Sequence, residues 1–332
     1  MKYDIAVKED ELDNVYKDIK GLIVDCKKRI YSTVNTEMLN LYWNIGKTIV
    51  SIQGGEKRAK YGQYILKELA IKLTNEFGKG FSLQNLKRMR QFYNYFEIGS
   101  SLMSQLTWTH YLELMKIKEE EKRNFYFHEC INSRWSVREL QREIKSYTYE
   151  RLSVNSKNNR DKLTNNGLVV SEMNDLIKEP YVLEFLKMEK DKFTEKELED
   201  KIIEHLKEFL LELGKSFMYV GRQQRIDIEG VKYYPDLVFY NNIVKGYLII
   251  DLKVGKLTHK DIGQMLMYVN YYDSFIKSED DSETFGIILC KDKNKTIIKY
   301  TLGDIKANVY ASKYMLHLPS EDELIRVVED NI

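Results

Sequence analysis

Cysteine and proline are both scarce: three of each in 332 residues. Cys26, Cys130 and Cys290 lie far apart, form no CxxC pair and show no Cys/His spacing suited to a metal. A disulfide scaffold and a zinc ribbon are therefore excluded, and the thiols read as reduced, structural groups of a cytoplasmic protein. The N-terminus, MKYDIAVKEDELD, has no apolar signal core. No apolar run approaches the roughly 20 residues that span a bilayer, so no membrane partner is expected. Net charge is nearly absent as well, with 52 Lys+Arg against 51 Asp+Glu. Any surface for a polyanion must come from local clustering. There is no GxGxxG or Walker sequence, and the five histidines are scattered without a Ser or Cys partner, which removes nucleotide-loop and His-assisted nucleophile chemistry.

What is present divides the chain. Proline is missing before Pro180, and apolar residues recur there at three- and four-residue steps, so the first half is expected to be nearly all helix. Ser136 and Glu139 form a capping-box pattern ahead of a helix through Leu140 and Ile144. A polar, Asn-rich stretch from Ser153 to Gly167 reads as a linker. This gives a helical domain over 12–150, a linker over 151–168 and a second domain over 169–332. In the second domain, Thr194 and Glu197 open a helix running to Leu213, closed by Gly214. Strands are predicted at 217–220, 224–228, 234–240, 247–254, 285–290, 296–302 and 314–318. A helix is predicted over 260–276 and a short one after Ser320. That order indicates an α/β sandwich around a mixed sheet, preceded by an all-α domain.

The run Tyr234-Pro235-Asp236-Leu237-Val238-Phe239-Tyr240 places an acid at the mouth of an apolar strand. The next strand, Gly246 to Lys253, is apolar up to Asp251. Alternation puts Asp251 and Lys253 on one face and Leu248, Ile250 and Leu252 on the other. Paired as a hairpin, the two strands bring Asp236 beside Asp251. Two hard carboxylates suit Mg²⁺, with Mn²⁺ as a substitute, and water and substrate phosphate complete its shell. The chemistry is metal-assisted phosphodiester hydrolysis, in which Lys253 orients or deprotonates the water, or offsets charge on the phosphorane. Helical phase selects a third acid. Glu199 lies on the stripe of Ile202, Ile203, Leu206 and Phe209, whereas Asp200, Glu204 and Glu208 lie elsewhere. Glu199 is thus the third metal-shell candidate and Glu204 the second choice. On the helix after Lys253, Gln264, Tyr268 and Tyr271 share a face; Gln264 could orient Lys253 or contact a phosphate, with Tyr268 supporting it.

In the first half, Tyr64–Phe77 forms an amphipathic helix with Ile65, Leu66, Leu69, Leu73 and Phe77 inward. A Gly-containing turn follows, and Ser82 caps a helix that faces Leu83, Leu86, Met89 and Tyr93 inward. That is the plan of a helix-turn-helix. Lys79, Gln84, Asn85, Lys87, Arg88 and Arg90 are its nucleic-acid-binding candidates: amides can read adenine edges, and cations bind phosphates. The bland alternative is a solvated face on a scaffold or docking helix. The aromatic stretch Trp108–Tyr126 is assigned to core rather than to base stacking.

The residues PD at 235–236, DLK at 251–253 and Gln264 with Tyr268 resemble the PD-(D/E)XK nucleases. More narrowly, the chain is similar to the YhcG-type family, in which a helical N-terminal domain precedes such a nuclease domain. Phe209–Gly214, Phe217–Gln223, Gly263-Gln264, Leu41–Gly46, Gly80–Ser82, Leu106–His110 and Trp135-Ser136 also match, so the resemblance covers about 15–320. One departure is Asp251, where this subfamily more usually carries Glu. The resemblance implies a restriction-endonuclease-like fold and a magnesium-dependent DNA endonuclease with Asp236, Asp251 and Glu199 as metal ligands and Lys253, Gln264 and Tyr268 in the catalytic set. It implies DNA, double-stranded or branched, as partner, a homodimer, and defence, recombination or mobile-element settings. The alternative is a catalytically inactive DNA-binding or assembly protein that keeps the fold. The presence of all four core polar positions weighs against it.

Overall fold

The computed structural model describes residues 9–52, 59–96, 105–153, 167–189, 193–293 and 308–329. The chain divides into two compact units, Met1–Arg123 and Asn124–Ile332.

The first unit is helical, as composition and periodicity require. It contains α1 (Glu9–Ile52), α2 (Ala59–Phe77), α3 (Leu83–Tyr95) and α4 (Trp108–Leu114). Ile49 of α1, Leu66 and Ala70 of α2, and Leu86 and Met89 of α3 form one buried cluster. Gly46 lets α1 and α3 touch backbone to backbone, since a Cβ there would lie 2.2 Å from the Met89 carbonyl oxygen. Trp43 Nε1 donates to the Phe96 carbonyl at 2.8 Å. Phe92 packs edge-on against Trp108 and Tyr111, with centroids 5.3 and 4.7 Å away, so this part of the aromatic stretch is core. Phe77 departs from the expected inward stripe. It is the last residue of α2, 60% exposed, with its ring edge-on to Phe81 at 5.9 Å.

The second unit runs from α5 (Glu120–Asn132) through α6 (Val137–Lys145) and α7 (Thr148–Ser153) into a sheet. The capping box of α6 forms as its sequence predicts: Ser136 N–H donates to Glu139 and the Glu139 N–H to Ser136 Oγ. Then follow β1 (Tyr181–Val182), α8 (Glu195–Glu204), α9 (Leu206–Leu213), β2 (Phe217–Arg222), β3 (Ile226–Ile228), β4 (Val231–Tyr233), β5 (Leu237–Asn241) and β6 (Gly246–Lys256). The described chain ends with α10 (His259–Phe275), β7 (Phe285–Asp292), β8 (Val309–Met315) and α11 (Glu321–Glu329). Six strands form a mixed sheet in the order β1-β8-β7-β6-β5-β2, and β3 and β4 make a separate hairpin. The pairs β2/β5 and β5/β6 are antiparallel; β6/β7, β7/β8 and β1/β8 are parallel. Edge strand β2 carries a register slip: Tyr219 pairs with Phe239, but Gly221 pairs with Val238.

Alternation sorts the two faces. Leu248, Ile250 and Leu252 pack with Leu198, Ile202 and Phe209 of α8 and α9. Ile249 packs with Ile262, Met265 and Tyr268 of α10. The α/β sandwich around a mixed sheet is therefore as the sequence implies.

Two expectations shift, and a third is untested. The single helix over 194–213 is two, broken at His205, whose φ of −109° and ψ of 36° leave the helical region. The strand expected at 314–318 is formed by Val309–Met315 instead, where alternating burial lies earlier. The strand expected at 296–302 lies outside the described residues.

Residues 124–153 are tied into the second unit by a buried ionic network. Arg151 and Glu212, both 0% exposed, form an ion pair. Arg151 also donates to the carbonyls of Ser146 (2.7 Å) and Pro180 (2.9 Å). Arg142 reaches Glu212 at 3.0 Å, Glu184 at 2.9 Å and Glu143 at 2.7 Å. Burial opposes the Glu212 charge, but Arg151, Lys178 and Arg142 win and hold its carboxyl well below the usual range.

Candidate active site

The β5/β6 hairpin sets the first two acids. Leu237 pairs with Ile250, which brings Asp236, just before β5, and Asp251, midway along β6, to adjacent positions at the end of the β5/β6 ladder. Asp236 Oδ2 accepts the Leu252 N–H at 2.7 Å, and Asp236 Oδ1 accepts from Gln223 Nε2 at 3.0 Å. Asp251 is 3% exposed. Its Oδ2 lies 2.6 Å from Lys253 Nζ, an ion pair along one strand face, yet accepts no aligned hydrogen bond. The Lys253 ammonium also has Glu195 at 3.8 Å.

Burial raises the Asp251 carboxyl to about 7; the Lys253 charge pulls against this, and the Asp236 charge adds to it. Asp236 is raised too, again chiefly by burial. Burial works against the charge of Lys253, but the Asp251 carboxylate prevails and its pKa is raised.

Glu199 turns inward from α8, as its helical phase indicates, and is 5% exposed. Its Oε2 accepts from the same Gln223 Nε2 that serves Asp236, also at 3.0 Å. Its Oε1 accepts no hydrogen bond and has Arg222 Nε at 3.5 Å. Burial raises its pKa. Glu199 and Asp236 are thus joined through one amide group. Glu204 is exposed and pairs with Lys201 at 2.6 Å, so it stays outside this cluster.

From α10, Gln264 donates its side-chain amide to the Tyr268 hydroxyl. Tyr268 is 1% exposed, and its pKa is raised by burial together with the charges of Asp251 and Asp236. The α10 pair and the hairpin acids therefore share one neighbourhood. His259 and Lys260 are exposed at the start of α10.

Sequence reasoning missed two participants. Gln223 sits in the turn after β2 with φ of 49°, and its N–H donates to the Asp236 carbonyl at 3.0 Å. Glu195 stands at the first position of α8 and accepts from the Val254 N–H at 3.3 Å. A hint existed only for Gln223: a polar RQQR run between two strands, too long for a two-residue hairpin.

The donors were tested for a divalent cation. Asp251 Oδ2 and Glu199 Oε1 are buried carboxylate oxygens that accept no aligned hydrogen bond, with Lys253 at 2.6 Å and Arg222 at 3.5 Å as their cationic neighbours; a carboxylate oxygen has further lone pairs that a divalent ion can take. Among the described residues, no three His, Cys, Asp or Glu side chains converge as a ready-made cage. Mg²⁺ does not demand one: it commonly takes one or two carboxylates and keeps water and substrate phosphate. The Asp236–Asp251 pair fits that requirement.

In the helical unit, Lys79, Gln84 and Lys87 are exposed. Asn85 is already committed: its amide donates to the Gly80 carbonyl at 3.0 Å and its Oδ1 accepts from Arg88 at 3.2 Å. Arg88 and Arg90 are half-buried.

Two family models match the chain. Residues 174–328 match the family model described as the YhcG PDDEXK nuclease domain, and residues 18–151 match the DUF1016 N-terminal domain. The chain is 34% identical to "Putative nuclease YhcG" of Escherichia coli (strain K12) over 351 residues, covering 94% of this chain and 93% of that protein. A repair endonuclease from Pyrococcus abyssi aligns at 17% identity and a TM-score of 0.27, over 40% of this chain and 50% of that one. An EndoMS–dsDNA complex aligns at 16% identity and a TM-score of 0.28, over the same shares. With its PDDEXK nuclease domain and its DUF1016 N-terminal domain, the chain belongs to the YhcG family of nucleases.

Proposed function

We propose that this nuclease is a divalent-metal-dependent DNA endonuclease, with Mg²⁺ as the natural ion and Mn²⁺ as a substitute. The observation that carries the reading is Asp251: a carboxylate 3% exposed, set by the hairpin register beside a second acid, Asp236, with the Lys253 ammonium 2.6 Å away. Asp236 and Asp251 would hold the ion, and Glu199 would join them through or in place of the Gln223 amide. When bound, the ion would polarise the phosphate and make a bound water more acidic. Lys253 orients that water and offsets charge on the phosphate. Its pairing with Asp251 keeps the ammonium charged and fixed. Gln264 and Tyr268 brace this end of the sheet from α10.

The helical unit is assigned the DNA backbone and groove. Lys79, Lys87, Arg88 and Arg90 would serve phosphates and Gln84 a base edge. Asn85 would have to release Gly80 to do the same, so its first role is to hold the turn before α3. A cytoplasmic enzyme acting on double-stranded or branched DNA, as a homodimer in a defence or recombination setting, suits the family.

The test is cleavage of supercoiled, branched and single-stranded DNA with Mg²⁺ or Mn²⁺, against Asp251→Ala. Cutting above that background supports the enzyme. No cutting above it on any substrate would leave an inactive DNA-binding or assembly protein on a nuclease fold. Gel shifts of the full chain with Lys87 and Arg88 replaced by Ala test the DNA face separately.

A further inference from the structure

The first half of α1 is built like an interface. Every residue from Leu12 to Val34 is exposed, and among the described residues nothing packs on it. That length of helix, roughly 33 Å, is barely stable alone in water, and Gly21 in its middle weakens it further. Yet it carries Leu12, Tyr16, Ile19, Ile23, Cys26 and Ile30, with Ile19 and Ile23 each 51% exposed. Their spacing alternates four and three, the seam of a coiled coil. An exposed continuous apolar stripe of this size is a contact surface.

Two features of the sequence name the occupant. The stripe is symmetric about residue 21: Leu12 and Ile30, Tyr16 and Cys26, and Ile19 and Ile23 lie at equal distances on either side. The ends of the same helix differ in charge, with Glu9, Asp10, Glu11 and Asp13 at one and Lys27, Lys28 and Arg29 at the other, while Lys17, Asp18, Lys20 and Asp25 are mixed between them.

We propose that α1 pairs with α1 of a second copy of this chain, antiparallel, over Leu12–Ile30. In that arrangement Leu12 meets Ile30 of the other copy, Tyr16 meets Cys26 and Ile19 meets Ile23. Asp13 then flanks the seam opposite Lys27, and each acidic end lies along a basic one. A parallel pair would set acid on acid and base on base. One like-charge approach remains, Lys20 near its own copy at the centre. Its long side chain can lift into water.

The pairing rests on the homodimer of the proposed function and gives it an interface; its readouts are mass and crosslinking rather than DNA cleavage, so it can fail while the nuclease reading stands. The full chain should sediment at twice 39.5 kDa in the micromolar range. The double variant Ile19→Glu, Ile23→Glu should sediment as a monomer with unchanged circular dichroism, since both side chains are exposed and support no fold. Under mild oxidation, Tyr16→Cys should crosslink two copies through Cys26, which is exposed, whereas Cys130 and Cys290 are buried. The unaltered chain should stay uncrosslinked, because antiparallel pairing sets the two Cys26 thiols roughly 15 Å apart along the seam. A monomer at about 100 µM, where a dimer of micromolar affinity is almost fully assembled, would overturn the proposal. So would a dimer that survives the double variant, or a Cys26–Cys26 crosslink in the unaltered chain.

Discussion

Glu212 and Asp251 are two buried carboxylates in one unit, 0% and 3% exposed, with opposite fates. Glu212 is surrounded by Arg151, Arg142 and Lys178 and accepts the Val182 N–H at 2.9 Å, so its charge is held far below the usual range. Asp251 has Lys253 as a cationic neighbour, which does not offset its burial and the second acid beside it, so its pKa is raised to about 7. Burial alone therefore does not separate scaffold from site. Completeness of partners does: a saturated buried charge fixes the fold, and an unsaturated one is left for something that arrives.

The largest test of this contrast is Asp251→Ala. Cleavage should fall by about a thousandfold or more, or ~4 kcal/mol, while the melting temperature holds or rises. A variant that unfolds instead would make Asp251 a scaffold residue like Glu212. Next comes Arg151→Met, which strips the main partner of Glu212. Urea denaturation should show a loss of about 3–5 kcal/mol, because the acid stays buried and under-compensated.

The third test uses pH. The Asp251 carboxyl sits near 7 in the folded chain against 3.8 for the ordinary group. The folded state thus binds that proton more tightly, and metal-free stability should fall as pH rises from about 4 to 7. In Asp251→Asn this loss should disappear, so the variant should gain stability over the unaltered chain at pH 8 and little at pH 4. A pH-independent difference between the two proteins would remove the contrast. The smallest effect is expected from Gln223→Ala. Losing the amide between Glu199 and Asp236 should cost about 1 kcal/mol in metal-free protein. The loss should shrink when Mg²⁺ is added, as followed by thermal unfolding, and an unchanged loss would show that cation and amide do not share those acids.

Much of the site was legible because it rests on short-range periods. Alternation put Asp251 and Lys253 on one strand face, a hairpin register put Asp236 beside them, and helical phase chose Glu199 over Glu204. Gln223 and Glu195 escaped because they occupy a turn and a helix start, where no period applies and position depends on the packed fold. The Arg151–Glu212 pair spans 61 residues, and nothing local marks either partner. Phe77 misled because a stripe stays informative only while the helix has a neighbour beneath it. The break at His205 interrupts an otherwise continuous stripe whose apolar positions remain in phase on both sides.

Edge strand β2 has a consequence for keeping the protein dispersed. It pairs with β5 on one side only and exposes Met218 and Val220. A flat strand of this kind would template the addition of a foreign strand. The slip between Tyr219 and Gly221 breaks the ladder midway and twists the edge, so an incoming chain finds no continuous row of donors and acceptors. The bulge that ends in Gly221, a few residues before Gln223, thus also guards the sheet against aggregation.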